Sequence, residues 1–179
     1  MNLKQKYQKE VIPQMKAKFG YSNDLAVPKI KKVTVNVGLS RAITEKDPKY
    51  IDSVKESLTK ITGQKPIETL ARKSISGFKI RKGLTVGLMV TLRGNRMYDF
   101  LDKLINVALP RTRDFRGLSP NSVDKSGNLS IGIREHLVFP EIKPEDVQKT
   151  HGLQVTITTT ARDHERGLEL FKLLGFPFK

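Results

Sequence analysis

Cysteine is absent from the 179 residues of the sequence, and that absence excludes three kinds of chemistry. A chain without thiols forms no disulfide, binds no metal through thiolates and has no cysteine nucleophile. A long apolar run is absent as well, since residues 1–18 carry several lysines but no continuous apolar stretch of the kind found in signal peptides. We therefore expect a cytoplasmic protein with no membrane partner.

Acidic residues are scarce relative to basic ones. The chain has 33 Lys and Arg against 18 Asp and Glu, which gives a formal net charge of +15. An excess of this size calls for a polyanionic partner, and nucleic acid is the better candidate in a chain without membrane-binding features. The length favours one domain with a hydrophobic core, since a chain of about 150 residues buries roughly 70% of its unfolded surface.

Apolar residues recur at helical spacing in four segments. In the first, from Leu3 to Phe19, an apolar residue stands at every fourth position, and Gly20 is expected to end the helix. Pro13 lies inside this segment, where a proline kinks a helix or costs it about 3 kcal/mol. The other three predicted helices span 48–62, 97–108 and 163–174. Pro110 is expected to end the helix at 97–108.

Alternation of polar and apolar residues predicts strands between these helices. The clearest cover 32–37 and 85–93, and three others cover 67–71, 129–134 and 153–160. Helices and strands are mixed rather than strictly alternating, as βαβ units would be. The sequence therefore predicts a single α+β domain over 1–179. Its largely antiparallel sheet has helices packed on one face and a polar RNA-binding face on the other.

The face of the predicted sheet turned away from the helices is polar, short-chained and barely charged. Double-stranded RNA is read in its shallow minor groove by small hydrogen-bonding side chains supported by cations, a task that suits this face. Threonine is also common on any wet strand face, so its presence alone favours ordinary β-propensity, whereas asparagine is depleted in strands. The predicted face comprises Lys32, Thr34, Asn36, Thr91, Arg93, Gln154, Thr156, Thr158 and Thr160.

Residues 72–82, with the sequence RKSISGFKIRK, carry five cations and no acidic residue. Gly77 in the middle of this segment indicates an exposed loop, here called the basic loop. A charge run is often only a solvated segment, but Phe78 among the cations offers a stacking side chain beside phosphate contacts. The alternative is that Phe78 packs back into the core. A second, polar loop is predicted over 110–128.

Catalysis has no residues in this sequence on which to rest. His136, His151 and His164 are scattered without ligand spacing, so we predict structural or surface roles for them and assign no metal site. Neither a GxSxG motif nor a GxxxxGK[ST] loop occurs. We expect no enzyme and no cofactor.

Several stretches along the whole chain resemble, in order, the bacterial large-subunit ribosomal protein five family. Such an ordered series is far more specific than any single short motif. The stretches are VTVNVG (33–38), ARKSISGFKIRKG (71–83), VTLRGNRMYDFLDKLINVALPRTRDFRG (90–117), GNLSIGIREHLVFPEI (127–142), TITTTA (156–161) and the final FPFK.

The resemblance implies binding of 5S rRNA and attachment of that RNA to the large subunit in the central protuberance. It also implies contact with P-site tRNA and with 23S rRNA, an intersubunit bridge to a small-subunit head protein, and neighbouring large-subunit proteins as partners. Asn36, Gln64 and Thr91 match positions that family members place against 5S rRNA. The basic loop matches the tRNA-contacting loop of the family.

The site residues expected on these grounds form three groups. Those for 5S rRNA are Lys32, Thr34, Asn36, Gln64, Thr91 and Arg93. Those for P-site tRNA are Arg72, Lys73, Ser74, Ser76, Phe78, Lys79, Arg81 and Lys82. Those for 23S rRNA or the bridge are Arg111, Arg113 and Arg116.

Two rival interpretations use the same charge pattern. A free RNA-binding or chaperone module would act away from the ribosome and would not sediment with the large subunit. A phosphate-handling enzyme would use the basic loop as an anion clamp, but it would also need a nucleophile, a base or a metal set, none of which the motifs provide.

Overall fold

A computed structural model describes residues 2–39, 48–147 and 149–179 of the chain. The strands within these ranges are β1 Ile30–Gly38, β2 Ile67–Leu70, β3 Thr85–Leu92, β4 Leu129–Ile133 and β5 Leu153–Thr159. They form one five-stranded antiparallel sheet in the order β2-β3-β1-β5-β4. The predicted α+β class and the antiparallel sheet are confirmed.

Apart from short 3-10 turns, four helices accompany these strands within the described residues. Helix α1 runs through the consecutive segments Leu3–Lys6, Tyr7–Val11 and Ile12–Phe19, and it ends at Gly20 with a φ of 70°. Helix α2 spans Pro48–Thr62, α3 joins Gly94–Lys103, Leu104–Ala108 and Leu109–Arg111, and α4 spans His164–Leu174.

Two of these helices continue through a proline. In α1 the five residues Tyr7–Val11 form a wide π turn that ends two positions before Pro13. In α3 the segment Leu104–Ala108 does the same before Pro110. A proline ring clashes with the carbonyl four residues earlier, and a widened turn moves that carbonyl aside. Pro110 was therefore wrongly expected to end its helix, which continues to Arg111.

Burial alternates along the strands as the sequence pattern predicts. In β1 the side chains of Val33, Val35 and Val37 are buried, while those of Thr34 and Asn36 are half-buried. The same alternation in β3, β4 and β5 gives each of these strands a buried apolar side and a more exposed polar side.

The chain divides into two compact units. The first comprises Met1–Val33, Leu92–Ile131 and Val155–Lys179, and the second comprises Thr34–Thr91 and Gly132–Gln154. Neither unit is a continuous stretch of sequence. One domain over 1–179, with a basic loop at 72–82 and a polar loop at 110–128, stays a prediction.

Tight backbone packing anchors the polar loop within the first unit. A Cβ added at Gly167 in α4 would lie 2.4 Å from the Gly127 Cα, so only glycine allows this approach. The Leu118 N–H donates to the Pro177 carbonyl at 2.7 Å, and the Lys179 N–H donates back to the Leu118 carbonyl at 3.0 Å. Leu118 and Val123 are buried. The loop predicted as polar is therefore anchored by apolar residues.

Two of the three histidines form a buried pair in the second unit, which sequence spacing did not predict. The rings of His136 and His151 stack with centroids 3.8 Å apart and an interplanar angle of 14°. The His151 backbone N–H donates to His136 Nδ1 at 3.3 Å, while the buried His151 Nε2 has no partner among the described residues. Burial, with the neighbouring His136 ring as the second cause, lowers the pKa of His151 to about 4. Burial also lowers the pKa of His136, so the neutral form of both rings predominates at pH 7.

We predict that the stability of the protein falls as the pH decreases from about 6.5 towards 4. The pKa of His151 is depressed in the folded state, whereas an unfolded histidine binds a proton below about pH 6.5. Stability is therefore fully present above about pH 6.5 and is lost as the pH falls towards the folded-state pKa, by about 3 kcal/mol in total.

Denaturant unfolding at pH 5, 6 and 7 measures this loss, and His151→Gln should flatten the pH dependence. His164→Gln changes a histidine outside the pair and is the control. An equal slope in the wild-type protein and His151→Gln would show that the pair does not cause the pH dependence.

Candidate nucleic-acid interface

The exposed polar side of the second unit is built by strand alternation. Thr34 and Asn36 lie on this side of β1, and Thr91 lies on it at the end of β3, the strand next to β1. Each of these side chains is half-buried. The Asn36 amide makes no hydrogen bond to any residue that the structure describes, so its donor and acceptor are available to a ligand.

Gln64 is held at β3 by a hydrogen bond that the sequence did not predict. It follows Gly63, which ends α2 with a φ of 67°, and its side chain is half-buried. Its Nε2 donates to the Thr91 carbonyl oxygen at 3.2 Å. Thr62 Oγ1 supports the same turn, because it donates to the Leu58 carbonyl at 2.7 Å and accepts from the Gln64 N–H at 3.3 Å. Gln64 and Thr91, distant in sequence, are thus brought together.

The two cations predicted for the same partner lie in the first unit. Lys32 is half-buried in β1, and Arg93 is exposed in extended backbone immediately before α3. Neither side chain forms an ion pair with a described residue.

The basic loop is the tip of the hairpin that joins β2 to β3. At its neck the Ala71 N–H donates to the Leu84 carbonyl at 2.8 Å. Further out, Ile75 and Ile80 exchange two backbone hydrogen bonds of 2.9 and 3.1 Å. The Lys82 N–H donates to Ser74 Oγ at 2.9 Å. The loop therefore has internal hydrogen bonds of its own, beyond the exposed segment that the sequence predicted.

Every predicted tRNA residue of the basic loop is exposed. Phe78 is 72% exposed, so the alternative that it packs into the core is wrong. It belongs to a short turn, Ser76–Phe78, that ends at Lys79 with a φ of 54°. None of the five cations forms an ion pair within the described ranges, and an open groove of about 1100 Å³ runs along the loop past Ile80 and Leu84.

Glu68, the acidic residue nearest this loop in sequence, already forms an ion pair with a lysine outside the loop. Glu68 of β2 accepts from Lys55 Nζ at 2.7 Å and from Thr85 Oγ1 at 2.7 Å. The hydrogen bond from Lys55 is the largest cause that lowers the pKa of the Glu68 carboxyl, and the same bond raises the pKa of Lys55. Glu68 therefore forms no ion pair with the loop cations, which remain available to a partner outside the protein.

The three arginines predicted for 23S rRNA or the bridge lie in the first unit at the start of the polar loop. Arg111 is the last residue of α3, and Arg113 and Arg116 follow it. All three are exposed. Asp114 between them has a φ of 54°, a conformation that turns the chain sharply.

Comparison with known proteins gives a consistent result along the chain. A family model described as "Ribosomal protein L5" matches residues 23–81, and a model of the C-terminus of the same ribosomal protein family matches residues 85–178. The chain belongs to the ribosomal protein L5 family. Curated relatives named "Large ribosomal subunit protein uL5" are similar to the L5 chain over nearly its full length.

The relative from Dictyoglomus turgidum is 55% identical over 99% of this chain and 98% of its own. The one from Carboxydothermus hydrogenoformans is 52% identical over 98% and 97%. The one from Microcystis aeruginosa is 52% identical over 99% and 98%.

Membership in the L5 family makes this chain a structural, non-enzymatic protein of the large ribosomal subunit, a cytoplasmic particle. The family resemblance predicted from the sequence is confirmed, as are rRNA binding and a place in translation as general family properties. Within the described ranges no helix is both long and apolar enough to cross a membrane. The same residues contain no cluster of three or more His, Asp or Glu side chains that could bind a metal ion.

We predict unequal effects on stability for alanine substitutions of the two amides, Gln64 and Asn36. Gln64→Ala removes the hydrogen bond to the Thr91 carbonyl and should lower the free energy of unfolding by about 1 kcal/mol. Asn36→Ala removes no such bond and should change it by less than about 0.5 kcal/mol. Urea unfolding of the two variants and the wild-type protein measures both values. A larger loss in Asn36→Ala than in Gln64→Ala would mean that Asn36 serves the fold rather than a ligand.

Proposed function

We propose that this L5 protein binds 5S rRNA through the polar side of its sheet and helps attach that RNA to the large subunit in the central protuberance. We further propose that the basic loop contacts P-site tRNA. The arginines of the polar loop would lie near 23S rRNA and an intersubunit bridge to a small-subunit head protein.

The observation that carries the 5S rRNA proposal is the Asn36 amide in the middle of β1. An asparagine in a strand disfavours the fold, and this one has no hydrogen-bond partner among the described residues that would offset its cost. A nucleic-acid partner would use both its donor and its acceptor, since RNA presents 2′-hydroxyls and base edges in the minor groove. Thr34 and Thr91 add short hydroxyl groups on the same side.

The basic loop suits a different RNA contact. Its exposed cations would bind phosphates, and phosphate contacts carry no sequence information. That property fits a surface that must accept every tRNA in turn. The internal hydrogen bonds of the hairpin keep the backbone ordered near Ile75 and Ile80, which reduces the entropy lost on binding.

A free RNA-binding or chaperone role away from the ribosome is disfavoured by the family. The relatives that match nearly the whole chain are named as proteins of the large ribosomal subunit. Co-sedimentation with the large subunit in a sucrose gradient tests this directly.

We predict salt-sensitive binding of purified L5 protein to 5S rRNA, weakened by Asn36→Ala. If six to ten phosphates are neutralised, affinity should fall by about 10³ to 10⁵ between 50 and 200 mM salt. Asn36→Ala should weaken binding by about fivefold to tenfold, the loss of one net hydrogen bond, without changing the salt slope. Filter binding measures both, and Asn121→Ala, an exposed asparagine in the other unit, is the control. A flat salt response, or unchanged affinity in Asn36→Ala, would contradict the assignment.

We predict that the basic loop serves tRNA rather than 5S rRNA. Replacing Lys73, Lys79, Arg81 and Lys82 together with Ala removes four exposed charges. Affinity for isolated 5S rRNA should decrease only through weaker long-range attraction, whereas retention of P-site tRNA on assembled ribosomes should fall clearly.

The control for this prediction replaces four exposed lysines outside the loop, Lys9, Lys31, Lys125 and Lys172, and keeps the same net charge as the loop variant. Loss of 5S rRNA binding with normal tRNA retention in the loop variant would reverse the division of surfaces.

A further inference from the structure

The polar side of the sheet has one apolar place in the second unit. Met89 stands on that side of β3, between Gly87 and Thr91, and Ile67 of β2 is its partner in the antiparallel register. Side chains directly opposite one another in such a pair have Cβ atoms about 4.5–5.5 Å apart. Ile67 is 65% exposed and Met89 is half-buried. The two side chains therefore form one apolar surface at the edge of the sheet.

The fold gives no reason for this apolar surface. The buried side of β3 is already filled by Leu88, Val90 and Leu92, so Met89 is not needed for the core. β2 is an edge strand, and a large apolar residue exposed on an edge invites unwanted strand pairing. A threonine would suit the position of Ile67 equally well as a strand former.

We propose that Ile67 and Met89 form a platform on which one unpaired base of the bound 5S rRNA packs. The inference rests on the proposed function and adds a base contact to it. Bases within a duplex hide their faces, so an apolar platform binds only a base that has left the stack.

The surroundings favour RNA over a protein partner. The segment that leads into β2 carries Gln64 and the exposed Lys65. Gln64 Oε1 accepts from no described residue, so it can take a hydrogen bond from a base next to the platform. Glu68, the neighbour of Ile67, points to the other side, where Lys55 and Thr85 bind its carboxylate. An apolar surface next to an amide and a lysine, with no free carboxylate from this strand, is complementary to a nucleotide.

The test uses the full chain and 5S rRNA transcribed in vitro, with affinity measured by fluorescence anisotropy. Ile67→Thr should weaken binding by about fivefold to tenfold. Because no phosphate contact is lost, the factor should be the same at every salt concentration. Ile67→Tyr keeps a strand-forming residue and offers a flat ring, so its affinity should equal or exceed that of the wild-type protein.

Leu70→Thr is the matched control on the same strand. Leu70 is 55% exposed and stands opposite Thr85 in the register, whose hydroxyl donates to Glu68. Leu70 therefore lies on the other side of the sheet from Ile67, and Leu70→Thr should bind 5S rRNA as the wild-type protein does. Thermal melts verify that all three variants are folded.

The outcomes separate the platform from the proposed function. If wild-type protein fails to bind 5S rRNA, the proposed function itself is wrong. If it binds and Ile67→Thr binds equally well, or Leu70→Thr is weakened as much, the platform is wrong and the proposed function stands. A scan of abasic substitutions in the RNA should find one position whose loss weakens the wild-type protein but not Ile67→Thr. Absence of such a position would also overturn the platform.

Discussion

Side chains alternate along a strand, so each buried side chain of β1 places the side chains of its two neighbours on the opposite side of the sheet. Val33, Val35 and Val37 are at most 3% exposed, and their burial leaves Thr34 and Asn36 on the polar side. A register slip of one residue would exchange the two sides and expose the whole apolar set. The apolar core thus determines which side of the sheet is polar. It does not determine which polar residues stand on that side, and these can suit a binding partner. The proposed RNA contacts depend on this separation.

Some acidic residues offset the net positive charge of the chain locally by pairing with particular lysines. Described ion pairs such as Lys55–Glu68 and Lys18–Glu169 place carboxylates against particular lysines on helices and strands. These pairs are partly exposed to solvent and contribute little to stability. Because acidic residues pair with lysines elsewhere, unpaired positive charge remains in the basic loop, which carries five cations and no acidic residue. Like charges held close together repel one another, and phosphates would relieve that repulsion.

Periodicity predicted most of the fold because local patterns decide where elements form. The helix at 48–62 and the strands at 67–71 and 85–93 agree with the structure to within one residue at either end. The end of α3 was missed because a π turn before Pro110 lets the helix continue, and such a turn has no simple sequence signature. The hairpin within the basic loop was missed because Ile75 and Ile80 pair across only a few residues.

Contacts between residues far apart in sequence were the main part that the sequence did not predict. Fifteen positions separate His136 from His151, whose stacked rings are buried, and nothing in their spacing indicates a pair. The Gln64 bond to the Thr91 carbonyl is similar, since family resemblance marked both residues without relating them. The polar side could be predicted strand by strand, because the alternation within each strand defines it locally. Its apolar edge needed the β2–β3 register, which places Ile67 beside Met89.

The two proposed RNA surfaces differ in chemistry in a way that suits partners with different lifetimes. The sheet side offers hydroxyl and amide groups from Thr34, Asn36 and Thr91, which lose their hydrogen bonds to water on binding and regain them only in one register. Such contacts favour a partner that stays in place, as 5S rRNA would within the subunit. The basic loop offers point charges, which tolerate small shifts of a phosphate backbone and weaken with salt. A surface of that kind releases its partner readily, which a tRNA passing through the ribosome requires.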